Sequence, residues 1–156
     1  MFREMRLTKQ QLSKEETETI LRMKGTGTLA LAGDDGYPYS VPVNYIYVDG
    51  CIYFHGALQG HKCDAIAREP KASMSVIGAD TLIPEKYTTD YRSVIAFGEI
   101  HPVVDDEKKR AVIRQIGMRF CSGYADGIDA EIDREWDILN VYEMKIIHMT
   151  GKRAMV

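Results

Sequence analysis

The sequence predicts a mainly β fold in which six antiparallel strands close into a barrel, with three short helices inserted. Three observations carry that prediction. Runs rich in Val, Ile, Tyr and Phe recur along the chain, most of them bounded by tight-turn residues. Segments with helical patterning are too few to act as the crossovers that a parallel sheet needs. Six strands in a chain of 156 residues leave aggregation-prone edges, and closure removes them.

Taken in order, Ser13-Lys14-Glu15-Glu16 has the Ser-x-x-Glu form of a capping box, and Gly25 after Arg22-Met23-Lys24 is a helix stop, so residues 1–25 form an N-terminal helical segment. Thr28 to Ala32 is the first strand, Gly33-Asp34-Asp35-Gly36 a turn, and Tyr37 to Val48 a long second strand. Asp49-Gly50 turns into Cys51–His55, which makes three sequential antiparallel strands, a meander. Gly60 to Arg68 has a short helical pattern ended by Pro70. Ala72–Ile77 and Arg92–Ile100 read as strands around a polar surface loop, Ala79 to Asp90. Asp105-Asp106-Glu107 places acids at the positive end of a helix whose stripe is Val112, Ile116 and Phe120, and Gly123 ends it. In the closing strand Ile138, Tyr142, Met144 and Ile146 share one face and Glu143 and Lys145 the other. One domain spanning 1–156 is expected.

Composition narrows the function classes. Lys and Arg total 20 against 23 Asp and Glu, so nothing draws the whole molecule to a nucleic acid. No run approaches the ~20 apolar residues that cross a bilayer, and the start lacks a secretion signal, so no membrane partner and a cytoplasmic location are expected. Cys51, Cys63 and Cys121 are odd in number and widely spaced, which argues against a disulfide framework. His55, His61, His101 and His148 show no zinc-site spacing, so no metal is expected. Neither a Gly-x-Ser-x-Gly elbow nor a Walker-type or dinucleotide glycine loop is present.

The informative stretch runs from Ser40 to Lys62. Pro42, within Ser40-Val41-Pro42-Val43-Asn44, removes a ladder donor and so belongs at an edge or a bulge. Backbone groups near Val41 and Val43 could there meet the donor and acceptor edge of a flat heterocycle; a plain edge strand has the same signature. Gly56-Ala57-Leu58-Gln59-Gly60-His61-Lys62 leads from a strand into a helix, and the free amides of the helix start, with His61 and Lys62 beside them, suit a phosphate. His55 lies opposite Ile52 and Phe54 on its strand and is a candidate ligand contact or a hydrogen-bonded structural residue. Ser93 and Val94, at the start of a strand, can offer a hydroxyl or an amide to a planar ligand.

Four motifs in order, Tyr39-Ser-Val-Pro-Val-Asn-Tyr45, Asp49-Gly-Cys-Ile-Tyr-Phe-His-Gly56, Gly60-His-Lys62 and Arg92-Ser-Val-Ile-Ala-Phe-Gly98, resemble the FMN-binding split-barrel proteins of the pyridoxamine-phosphate-oxidase-like superfamily. The branch they are most similar to is that of the 5-nitroimidazole-resistance reductases, over roughly Leu21 to Arg153. The resemblance implies a six-stranded Greek-key split barrel, a homodimer, and FMN between the subunits. It also implies that Val41, Pro42, Val43 and Asn44 line the ring and ribityl portion, and that His61 and Lys62 clamp the phosphate. By the same resemblance, His55 and Gly56 pack near the ribityl chain, Ser93 and Val94 contact the flavin, and Gly151, Lys152 and Arg153 approach the partner's flavin. Departures matter: the chain lacks the Arg-rich phosphate loop and the aromatic-Gly-Arg-Pro tail of true pyridoxamine phosphate oxidases, and the His-rich tail of haem-degrading relatives. The resulting expectation is an FMN-dependent oxidoreductase that passes electrons from a reduced nicotinamide or another carrier to a small aromatic or nitro compound, with a non-catalytic flavin-binding module as the alternative.

Overall fold

The computed structural model describes residues 1–155 and is mainly β, built on a single seven-stranded antiparallel sheet with short helices against it. The elements are α1 (Lys14–Met23), β1 (Thr26–Ala32), β2 (Pro38–Asn44), β3 (Ile46–Val48), β4 (Cys51–Ala57) and α2 (His61–Arg68), then β5 (Lys71–Ile83), β6 (Thr88–Pro102), α3 (Asp106–Phe120), α4 (Ile128–Glu135) and β7 (Leu139–Arg153). Strand order is β2-β1-β5-β6-β7-β4-β3.

That order corrects the expected long second strand. Residues 37–48 are not one strand: they break at Tyr45, whose ring is fully buried and whose hydroxyl donates to the Leu21 carbonyl at 3.1 Å. Burying that phenol rotates the backbone out of the ladder, so β2 stays with β1 while β3 pairs with β4, at the opposite end of the sheet. The expected three-strand meander is therefore absent, and the strands number seven. The stretch 79–90 is also not a loop. β5 continues to Ile83 and β6 starts at Thr88, joined by a 3-10 turn over Pro84–Lys86 that exits through Tyr87 in the left-handed region at φ 50°. Along this two-stranded ribbon polar and apolar residues follow one another without a period of two, Asp80-Thr81 before Leu82-Ile83 and Thr88-Thr89-Asp90 after the turn, and none is buried, so the alternation that marks a strand is missing.

A fourth helix, α4, lies beyond the three expected, and Ile128 and Ile132 are its buried i, i+4 pair. Ile138 is an exposed residue before β7, not part of the strand, while Tyr142 and Met144 are buried as expected. The capping box of α1 is formed, with the Glu16 amide donating to Ser13 Oγ at 3.1 Å and the Ser13 amide to Glu16 Oε2 at 2.8 Å. Ser13→Ala is expected to cost about 1 kcal/mol, which at this chain length lowers the thermal midpoint by about 2–4 °C in a calorimetric scan.

Two apolar clusters fill the molecule. The interior one takes alternate residues of every long strand, among them Leu29, Val43, Phe54, Met74, Val94 and Met144, with Leu21 of α1. The second lies on the other face of β4 and β7, where Tyr53, Leu139 and Val141 pack against Val112, Ile113, Ile116, Ile128 and Ile132 of α3 and α4. No helix covers the outer face of β2, β1, β5 and β6. There Ser40, Pro42, Thr28, Ser75, Ile77 and Ile95 are exposed, and none of them is charged.

Candidate functional site

The site is assembled from a sheet edge and a strand-to-helix turn. β2 is an edge strand, as Pro42 requires. Its ladder phase is fixed by two backbone bonds outside the strands, Gly33 N–H to the Tyr37 carbonyl and Tyr45 N–H to the Gly25 carbonyl. In an antiparallel pair, directly opposed residues alternate between bonded and non-bonded. The register Leu29↔Val41 and Gly27↔Val43 falls in the bonded phase, so the backbone groups of Val41 and Val43 are turned to β1. Val43 is buried and Val41 half-buried in the interior cluster. The groups open to a ligand are therefore those of Ser40, Pro42 and Asn44, and proline's missing N–H falls on the open side, where it costs no bond. Asn44 is oriented by Thr26, whose hydroxyl donates to its Oδ1 at 3.1 Å.

Across from this edge, β4 ends at His55, Gly56 and Ala57 and leads into α2. Gly56 has a packing reason: a Cβ there would lie 2.9 Å from the Lys62 Nζ, so the lysine side chain is laid over bare backbone. Its ammonium also stands 5.7 Å from the centre of the Phe54 ring, and among the described residues no carboxylate pairs with it. The start of α2 has no side-chain cap, and Gly60 at φ 120° holds a conformation that L side chains rarely adopt. Bare amides, a helix dipole and an unpaired cation converge here, an arrangement that attracts an anion.

His61 points elsewhere. Its ring stacks on Tyr39 at 4.0 Å between centroids, and its Nε2 lies 3.5 Å from Asp34, which also accepts from Arg68 at 3.0 Å. Cys63 is likewise occupied, its thiol donating to the Ala57 carbonyl at 3.0 Å.

Partial desolvation and then the charge of Lys62 lower the His55 imidazole from its usual range, although part of the side chain stays exposed. The sign follows directly: the unfolded chain binds this proton at higher pH than the folded one, so the folded state is penalised as pH falls below ~6.5. Stability carried by His55 is intact above that pH and is lost as pH falls through the lowered folded value. His55→Gln is expected to reduce the fall in thermal midpoint between pH 7.5 and pH 5; an unchanged fall would show that other groups carry it.

Ser93 and Val94 lie on β6, three strands from β2 through the aligned positions Pro42, Thr28, Ser75 and Ile95. At ~4.8 Å per strand that is about 14 Å, so they do not join Ser40, Pro42 and Asn44 within one protomer. Val94 is fully buried in a central strand, which leaves Ser93, half-buried on the open face, as the one of the pair able to meet a ligand. Gly151, Lys152 and Arg153 extend β7 beside it, with Ser93 aligned to Lys152.

The largest cavity next to these residues holds about 820 Å³ and runs between β4 and the α3–α4 pair. Asn44 and His55 stand on its wall, and the rest is mainly apolar, including Ile113, Ile116, Phe120 and Ile132. Sequence reasoning missed this groove, and it also missed Ser40. The i, i+4 spacing of Ile128 and Ile132 is the signal that could have found the helix behind the groove, but nothing local indicates where that helix packs.

With this geometry in place, comparison with known proteins is informative. A family model described as pyridoxamine 5'-phosphate oxidase matches residues 13–153. The chain belongs to that family. Pyridoxamine 5'-phosphate oxidase-like structures agree on the fold: a candidate 5-nitroimidazole antibiotic resistance protein of Bacteroides thetaiotaomicron is 19% identical, with a TM-score of 0.74 over 92% of this chain and 86% of its own. The flavocytochrome Anf3 of Azotobacter vinelandii is 18% identical, with a TM-score of 0.79 over 98% of this chain and 73% of its own. An FAD- and haem-binding protein of Mycobacterium smegmatis is 23% identical, with a TM-score of 0.75 over 94% and 74%. No curated protein matches the chain. Three similar structures, the flavocytochrome, the FAD- and haem-binding protein and an FAD-binding protein of Mesorhizobium loti, carry flavin in their names.

Proposed function

We propose that this family member is an FMN-dependent oxidoreductase of the nitroimidazole-resistance-reductase-like branch, reducing a small aromatic or nitro compound with electrons from a reduced nicotinamide or another carrier. The observation that carries this reading is the unpaired Lys62 ammonium laid over Gly56 beside the uncapped start of α2. The residues fit FMN on three counts. Lys62 and the α2 amides take the phosphate; His61, tied to Tyr39 and Asp34, contributes its backbone amide there. The free edge of Ser40, Pro42 and Asn44 offers alternating backbone groups to the rim of a planar ring system. His55 and Gly56 stand between the two. Bound flavin supplies the electron transfer itself, and the protein binds, orients and shields it.

A homodimer is part of the proposal. Ser93 is too far from β2 to share a ligand with it in one protomer, and it lies on the same sheet face, whose exposed Ser40, Pro42, Thr28, Ser75, Ile77 and Ile95 a second copy seated there would cover. Such a copy brings its own Ser93, with the end of its β7, toward the first protomer's cradle.

The test is reconstitution followed by turnover. Purified protein mixed with FMN is expected to retain about one flavin per chain on gel filtration and to elute as a dimer. Under anaerobic conditions a reduced nicotinamide should bleach the flavin, and a 5-nitroimidazole should restore its colour. Failure to retain FMN would overturn the proposal, whereas retention without reoxidation by any nitroaromatic would leave the flavin-binding module as the function.

A further inference from the structure

The groove between β4 and the α3–α4 pair has no role in holding the flavin phosphate or the ring edge, yet its wall includes two residues of the cradle, Asn44 and His55. Its volume of about 820 Å³ is that of a small-molecule site. Three features define what it accepts. Ile113, Ile116, Ile128, Ile132 and Leu139 give an apolar lining, and Phe120 and Tyr124 add exposed rings at its margin. Its rim carries Arg134, paired with Glu131 and, at 3.2 Å, with Glu135, so acids outnumber bases by one and no cation is left free to meet an anion. Partial desolvation and the neighbouring Lys62 charge favour the uncharged form of His55, the one titratable group shared with the cradle.

We infer that this groove is the seat of the electron acceptor and that it selects ring-containing compounds without a negative charge, with α3 and α4 as the specificity-determining element. An anionic ligand would leave water for a wall that offers no free cation, a cost that an uncharged ring of the same shape avoids. Asn44 and His55 supply the few polar contacts that orient such a ring, and their place in both sites puts it next to the cofactor. That the bound compound is an acceptor rests on the flavin reading above; that the groove binds it does not.

Gly127 makes the test possible. It lines the groove at φ -92°, and a Cβ built on it meets no atom within 4 Å, so a side chain can branch from the backbone there without a clash. Equilibrium dialysis of the full chain, with and without FMN, against nitrobenzene and against 4-nitrobenzoate provides the readout. Wild-type protein should hold nitrobenzene about ten-fold more tightly than the carboxylate, and Gly127→Trp should weaken nitrobenzene by about ten-fold while leaving FMN affinity unchanged. Phe120→Ala, at an exposed position, is a second variant expected to weaken nitrobenzene if Gly127→Trp turns its indole to solvent. Equal affinity for the two probes, or nitrobenzene binding indifferent to both substitutions, would overturn the inference. Nitrobenzene binding in a protein that ignores FMN would uphold the groove and sink the flavin reading; FMN binding without any nitrobenzene binding would do the reverse.

Discussion

Replacing Lys62 with alanine is expected to weaken FMN by about ten- to a hundred-fold while riboflavin, which has no phosphate, binds as before. The size follows from a charge-assisted contact, about 1.5–3 kcal/mol, at roughly ten-fold per 1.4 kcal/mol. Lys62 has no acidic partner to leave stranded, so the substitution removes a cation without creating a buried, unpaired carboxylate. The Gly56 position supplies an independent check. A side chain there meets the lysine Nζ at 2.9 Å and its Cε at 3.1 Å, so Gly56→Val should push the ammonium aside and reproduce the loss of FMN with Lys62 still present. Fluorescence titration of FMN and riboflavin against the wild type and both variants decides the matter. An equal loss for both ligands would mean that Lys62 serves the fold or the ring, and the phosphate would need another anchor.

The largest effect on stability is expected at Gly98. This residue sits in β6 at the register shift between Phe97 and Gly98, where β6 crosses β7. A Cβ at this position would collide with the Lys145 carbonyl oxygen and lie 2.9 Å from its carbon, contacts made by rigid backbone of the neighbouring strand. Nothing at the tip of a flexible side chain can give way. Gly98→Ala must therefore part the two longest strands of the sheet or rebuild the bulge, at a cost of about 3 kcal/mol or more. A fall in thermal midpoint of about 10 °C is the corresponding calorimetric signal for a chain of this length. Gly127→Ala, where the added Cβ meets open space, serves as the control and should shift it little. A Gly98→Ala protein as stable as wild type would show that the bulge is softer than its contacts indicate.

Local chemistry made much of the fold legible. The Ser13 capping box, the turn at Asp49-Gly50, the acid-led α3 and the placing of Pro42 on an edge each depend on residues within a few positions of one another, and each is formed. Other features escaped because their causes are distant in sequence. Tyr45 breaks a strand-like run because its hydroxyl reaches Leu21, a contact 24 residues away. The ribbon from 79 to 90 pairs with itself while exposing both faces, so burial leaves no period in its sequence. In the site, Gly56 and Lys62 could be picked out from the strand-to-helix spacing. That Val41 and Val43 bond to β1, leaving Ser40, Pro42 and Asn44 open, depends on ladder phase, which the alternation of side chains does not reveal.

By itself the sequence determined a mainly β chain of this family and singled out the short stretch, Ser40 to Lys62, that the proposed function rests on. Those are matters of residue type, turn chemistry and spacing, which act over a few positions. Only the tertiary structure decided that His61 is tied to Tyr39 and Asp34 while Lys62 stays free, that Ser93 lies three strands from β2, and that α3 and α4 wall a groove against His55. Each of these depends on which strands become neighbours and in what register, and that is fixed by burying two apolar clusters at once across the whole chain.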